Sequence, residues 1–133
     1  MPVRQLRLVV TTDDYDEAVR FYRDVLGMTE REAVQPPNGR VMILDAGAAT
    51  LELAEPATAE YIDSIEVGRR VAGHIRVAFE IDDVHGGTAA LKQAGGEVLA
   101  DPTPTPFHST NARVEGPAGL QLTLFQMDDQ GTV

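Results

Sequence analysis

Apolar and polar positions alternate without a break from His74 to Ile81: Ile75, Val77, Phe79 and Ile81 fall on one side, and His74, Arg76, Ala78 and Glu80 on the other. A period of two over this length predicts a strand with one apolar and one mixed face. Asp82 and Asp83 follow, then Val84, Leu91 and Ala94 recur on one side of a helix that Gly95-Gly96 stops. The glycines Gly86-Gly87 weaken that helix by about 1 kcal/mol each relative to alanine, so tertiary packing must hold it. The same order occurs near the start. Leu6, Leu8 and Val10 alternate with Arg7, Val9 and Thr11, and Asp13 or Asp14 caps a helix predicted over 16–26. Its apolar face is Ala18, Val19, Phe21, Tyr22, Val25 and Leu26, and Gly27 is its stop. Arg7 and Arg76, Asp13 and Asp82, Asp14 and Asp83 keep a constant spacing of 69 (76 − 7, 82 − 13, 83 − 14). One motif is used twice.

Strands are predicted over 28–35, 40–45 and 49–55, with turns at Pro36-Pro37-Asn38-Gly39 and Ala46-Gly47. A connector at about 56–72 holds a short helix near 59–67. The second half continues with a strand over 97–100, a proline-rich loop over 102–106, strands over 111–115 and 120–125 separated by the turn Gly116-Pro117-Ala118-Gly119, and a loose tail over 127–133. The chain is therefore read as an α+β fold of two tandem βαβββ modules, about 1–55 and 73–127, within a single domain spanning 1–133. The helices need an apolar surface, which the leucine-rich faces of the strands supply. The opposite face carries Arg7, Val9, Thr11, Thr50, Glu52, His74, Arg76, Ala78, Gln121, Thr123 and Phe125, a charged and polar mixture suited to a ligand or a partner.

Composition narrows the function classes. The formal net charge of −10, from 21 acidic and 11 basic residues, repels nucleic acid and anionic membranes and favours a cationic ligand. No window holds the roughly 18 apolar residues that cross a bilayer. With no cysteine there is neither a disulfide framework nor a thiolate site. The start, Met-Pro-Val-Arg-Gln-Leu-Arg, lacks an apolar targeting core, which predicts a cytoplasmic protein.

Asp14-Tyr15-Asp16-Glu17-Ala18-Val19-Arg20-Phe21-Tyr22-Arg23-Asp24-Val25-Leu26-Gly27-Met28, then Leu51-Glu52-Leu53, Ile81-Asp82-Asp83-Val84 and the run from Gly116 to Leu124 resemble the vicinal oxygen chelate superfamily, which includes glyoxalase I, extradiol dioxygenases and bleomycin-resistance proteins. The resemblance implies curved mixed sheets that enclose a ligand cleft, in a homodimer whose modules pair within one chain or across it. It also implies a divalent metal held from four strands, at positions that fall here on Arg7, Glu52, Arg76 and Thr123. Only Glu52 among them has a donor suited to a metal, because arginine is cationic and has no lone pair to give. His74 reaches a ligand position only if the strand before Asp82 gains two residues, so it is read as lining the cleft or its rim. His85 and His108 are read as surface residues.

These readings predict no metal, no cofactor and no catalytic residue. They point to a non-catalytic protein that sequesters an antibiotic or another aromatic or peptide natural product, giving resistance, with Arg7, Val9, Glu52, Tyr61, His74, Arg76, Phe107, Thr123 and Phe125 as ligand contacts. Two arginines against one glutamate leave a positive surplus that suits a carboxylate, a phenolate or an aromatic plane. The alternative is a glyoxalase- or dioxygenase-like enzyme acting on a small metabolite or biosynthetic intermediate, metal-dependent or working through the cleft residues. A partner-binding accessory module is the third class.

Overall fold

The structure is a computed structural model and describes residues 2–25, 28–35, 39–47, 49–117 and 120–128. The chain runs β1 (Gln5–Thr11), α1 (Tyr15–Val19, continued by a π-helical stretch Arg20–Val25), β2 (Glu30–Val34), β3 (Val41–Ala46) and β4 (Ala49–Ala54). It continues through α2 (Pro56–Glu66), β5 (Ile75–Glu80), α3 (Val84–Gln93), β6 (Glu97–Pro104), β7 (Ser109–Glu115) and β8 (Gln121–Met127). The eight strands form one curved open sheet in the order β2-β3-β4-β1-β5-β8-β7-β6. This is the predicted α+β arrangement of two βαβββ motifs.

The two halves meet at β1 and β5, which pair antiparallel within one chain. Arg7 lies opposite Ala78 and Val9 opposite Arg76, so each residue faces the repeat-mate of its same-face neighbour. On either side the sheet extends by a parallel pair, β1 with β4 and β5 with β8. The junction therefore has twofold character, and the mixed faces of all four central strands share one side of the sheet.

The apolar side is covered by α1 and α3. Tyr15 and Val19 pack on Met42, Leu44 and Leu53, and Val84 packs with Ile81, Ala112 and Leu124. Complete burial of a side chain such as Leu44, Leu53 or Val84 stabilises by about 1.5–3 kcal/mol. In each aspartate pair the second residue caps the helix: Asp14 accepts the Glu17 amide at 3.2 Å and Asp83 the Gly86 amide at 3.0 Å. A side chain at position 86 would collide with the Asp83 carboxylate, so Gly86 makes room for the cap that starts its own helix.

Three expectations are corrected. Val25, assigned to the apolar face of the first helix, is 63% exposed; the π-helical stretch changes the periodicity after Val19 and turns it outward. The proline-rich segment is mostly strand, because β6 extends to Pro104. It is an edge strand with register shifts at Val98/Ala100 and Ala100/Thr103, where residues without an amide proton are tolerated. The connector helix starts earlier than expected, at Pro56, whose missing N–H suits a first turn. The stop at Gly27, Leu26, the side chain of Phe21, the turn residues Pro36-Pro37-Asn38 and Ala118-Gly119, and the tail beyond 128 lie outside the described residues. No helix among the described residues is long and apolar enough to cross a membrane.

Candidate functional site

A cavity of about 340 Å³ opens on the mixed side of the sheet. Its floor is set by strand register. Glu52, Val9 and Arg76 form one row across β4, β1 and β5, and Arg7, Ala78 and Thr123 form the next row across β1, β5 and β8. Each row places a small or medium apolar residue between two functional side chains, which leaves space above the floor. Phe125 lies beyond Thr123 on the same face of β8, and Val41 and Ile43 supply the wall from β3.

The other walls come from α2 and from the turn before β7. Thr58, Ile62 and Glu66 of α2 face the cavity. Thr105 Oγ1 accepts the Phe107 amide at 3.2 Å, and His108 adopts a left-handed φ of 62°, a tight turn that brings Phe107 to the cavity wall. Tyr61 does not line this cavity; its ring meets Phe107 edge-on, with centroids 6.4 Å apart, and braces it from behind. His74 is not a lining residue either. It is exposed at the entrance to β5, where its carbonyl accepts the Thr11 amide at 3.0 Å. His108, read as a surface residue, is exposed but contributes to the cavity wall. Seven of the nine expected ligand contacts, Arg7, Val9, Glu52, Arg76, Phe107, Thr123 and Phe125, meet in the one cavity.

Arg7 has three neighbours of complementary character. Its Nε donates to Gln5 at 2.7 Å, its Nη1 is 3.7 Å from Glu52 Oε1, and its guanidinium lies 5.0 Å from the centre of the Phe125 ring. Arg76, only 8% exposed, donates from Nη1 to Thr123 Oγ1 at 2.5 Å and has no carboxylate in ion-pair contact among the described residues. Burial pushes the Glu52 carboxyl above its ordinary value, against the pull of Arg76 and Arg7. Burial, and then the neighbouring Arg113, lower the Arg76 value; an arginine starts so far above neutrality that it remains cationic.

Beside the cavity is a buried ion cluster that the strand-by-strand reading missed. Arg113 on β7 is completely buried and donates to Asp63 at 2.8 Å, Glu66 at 2.9 Å and Gln121 at 2.8 Å. Asn111 gives its side-chain amide to Glu66 at 2.9 Å and keeps Oδ1 without a partner in the cavity wall. A signal for Arg113 existed: it alternates with Ala112 and Val114, which places it on the mixed face. Asp63 and Glu66, three apart on a connector helix, look in the sequence like any solvated acidic edge. The expected surplus of positive charge is corrected accordingly. Among the described residues the buried side carries three arginines, Arg7, Arg76 and Arg113, and three acids, Glu52, Asp63 and Glu66, but the acids are shared unequally and Arg76 has none of them in ion-pair contact.

The four positions at which the resemblance implies metal ligands do converge on this floor. They present two guanidinium groups, one carboxylate already beside Arg7, and a threonine hydroxyl that already accepts from Arg76. That set does not fit a divalent cation. Among the described residues no group of three His, Cys, Asp or Glu is placed to hold a metal.

Comparison with known proteins agrees with the fold. A lactoylglutathione lyase from Haemophilus influenzae is 28% identical over 125 residues, covering 91% of this chain and 90% of its own. One from Salmonella typhimurium is 27% identical over 133 residues, covering 97% and 96%. A structure of methylmalonyl-CoA epimerase with methylmalonyl-CoA and NH4+ superposes with a TM-score of 0.69 at 24% identity, covering 97% of each chain. The epimerase from Mycobacterium tuberculosis gives a TM-score of 0.71 at 18% identity, covering 98% and 92%. The family profile matches residues 4–124, nearly the whole chain, and together with the paired βαβββ motifs it establishes that this chain belongs to the Glyoxalase/Bleomycin resistance protein/Dioxygenase superfamily.

Proposed function

We propose that the cavity is the active site of a small-molecule enzyme that moves a proton at a carbon next to a carbonyl, with Glu52 as the proton acceptor. The observation that carries this reading is the Glu52 carboxylate on the cavity floor, 3.7 Å from the Arg7 guanidinium and in the same strand row as Arg76. Its side chain is only 12% exposed, and a desolvated carboxylate holds a proton more readily than one in water. When Glu52 takes the proton from carbon, its own charge disappears. Arg7 is then left without its counter-charge at the moment an oxyanion forms on the carbonyl, and can stabilise it. Return of the proton from Glu52 to carbon completes the cycle without a redox partner. The relatives support an enzyme more than a sequestering protein, since those that match across the chain are named as lyases and the superposable structures include epimerases.

The test is hydrogen exchange in deuterium oxide, followed by NMR, on a panel of small ketones, oxo acids and acyl thioesters. The expected result is protein-dependent loss of a C–H signal next to a carbonyl, reduced at least about a hundredfold by Glu52→Gln. The dismantled metal set favours the second reading, a protein that binds and does not turn over. Compounds that shift the melting temperature yet show no exchange in the wild type establish that second reading and refute the first.

A further inference from the structure

We infer that Arg76 and Thr123 form a carboxylate-binding site, so that the cavity takes small apolar carboxylic acids through a fixed guanidinium and not through a metal ion. Among the described residues two arginines are buried outright. Arg113 is met by two carboxylates. Arg7, only partly buried, still has Glu52, a ring face and Gln5. Among the described residues Arg76 has one hydrogen-bond partner, a hydroxyl, and Glu66, Glu52 and Asp63 act on it only from beyond ion-pair contact; a guanidinium carries five N–H donors in a planar fork that matches a carboxylate. A buried cation in this state is costly unless an anion arrives, and Arg76 faces the cavity from which one can come.

Thr123 sets the direction of the fork. Its hydroxyl accepts Nη1 and anchors one edge of the guanidinium to β8. Glutamate at this position would neutralise Arg76 outright; threonine orients the cation and leaves its charge unspent. The rest of the cavity defines the body of the acid. Val41, Ile43, Phe107 and Phe125 form apolar walls, and the volume lies at the small end of the range of about 300–1,000 Å³ for ligand sites. A single ring or a short branched chain fits this description.

The inference uses the same cavity as the proposed function but does not depend on turnover. Isothermal titration of chelator-treated protein with acetate, isobutyrate, benzoate and phenylacetate, each beside its own neutral amide, reads the charge requirement without any mutation. At least one acid is expected to bind roughly ten- to a hundredfold more tightly than its amide, as a charge-assisted contact implies. Arg76→Met removes that preference, and Arg76→Lys restores part of it, because lysine keeps the charge without the fork. If no acid is preferred over its amide, if Arg76→Met retains the preference, or if the preference appears only after a divalent metal is added, the inference is overturned. Acids that bind without hydrogen exchange leave this site standing and refute the catalytic reading. Exchange on neutral carbonyl compounds with no preference for acids does the reverse.

Discussion

Arg113 Nη1 donates to Asp63 Oδ1 at 2.8 Å, joining β7 to a connector helix 50 residues earlier with both side chains closed to solvent. The bond fixes α2 as a wall of the cavity, since the same arginine also holds Glu66. Arg113→Met leaves the buried Glu66 without an ion-pair partner among the described residues and Asp63 with only the more exposed Arg70 at 3.0 Å, and breaking a buried pair in this way destabilises by about 3–5 kcal/mol. The expected observation is a lower urea midpoint at unchanged slope. Removing the charges together, by Arg113→Met with Asp63→Leu and Glu66→Met, recovers part of the loss. Recovery is incomplete because Asp63 Oδ2 also accepts the amides of Val71 and Ala72, each at 2.8 Å.

Asp63 and Glu52 give the protein two opposed pH dependences. Burial alone would raise Asp63, but the Ala72 and Val71 amides, with Arg113 and Arg70, outweigh it and hold the carboxyl below its ordinary value of 3.8. Its contribution is whole above that value and is lost as pH falls through the folded one, because the unfolded chain takes up the proton first. Glu52 is raised above its ordinary 4.5, so between that value and its folded one the native state holds a proton that the unfolded chain has released. Stability therefore falls as pH rises through this window. Urea midpoints measured from acid to neutral pH should lose the acid limb in Asp63→Asn and the opposite slope in Glu52→Gln. A wild-type slope retained in Glu52→Gln would mean that another group titrates there.

The pairing of strands was readable because its signals are local. Uninterrupted alternation at β5, a repeat spacing carried by arginines and aspartates, and capping carboxylates in both copies determine which face of each strand is mixed. The floor of the cavity follows from those faces. The roof does not, because α2 is weakly amphipathic and its buried acids have their partner on a strand far along the chain. Phe107 was legible as a cavity wall only from the resemblance, since a proline-flanked turn gives no period. Tyr61, expected as a ligand contact from the connector, touches the Phe107 ring instead of the cavity.

Gly39 permits the close approach of α2 to the sheet. It has φ +153°, and a Cβ there would overlap Thr58 Oγ1 and crowd the Thr58 amide. Thr58 is completely buried and donates to the Arg40 carbonyl at 3.1 Å, so it has no room to withdraw. Gly39→Ala should therefore shift the first turn of α2 and destabilise by about 1–3 kcal/mol, as overpacking does. The pairing of Gly39→Ala with Thr58→Ser tests the origin of the effect. Removing the methyl does not relieve the hydroxyl overlap, so recovery by Thr58→Ser would show that the methyl group caused the strain.

The convergence of Arg7, Glu52, Arg76 and Thr123 leads to a gain-of-function prediction. The four residues come from β1, β4, β5 and β8 and occupy two adjacent rows on the floor, so the backbone frame needed for a four-ligand site is present while the side chains oppose it. Arg7→His, Arg76→His and Thr123→Glu together replace two cations and a hydroxyl by two imidazoles and a carboxylate, leaving Glu52 as the fourth donor. The triple variant should take up one divalent ion per chain, read by metal analysis after dialysis. Its melting temperature should rise with added nickel or zinc, since a ligand at a hundred times its dissociation constant stabilises by about 2.7 kcal/mol. Wild-type protein under the same treatment should show neither. Equal uptake by both proteins would place metal binding outside these four residues. A well-folded triple variant that binds none would show that the frame has drifted from ligand geometry, and that the loss of metal chemistry lies in the backbone as well as in the side chains.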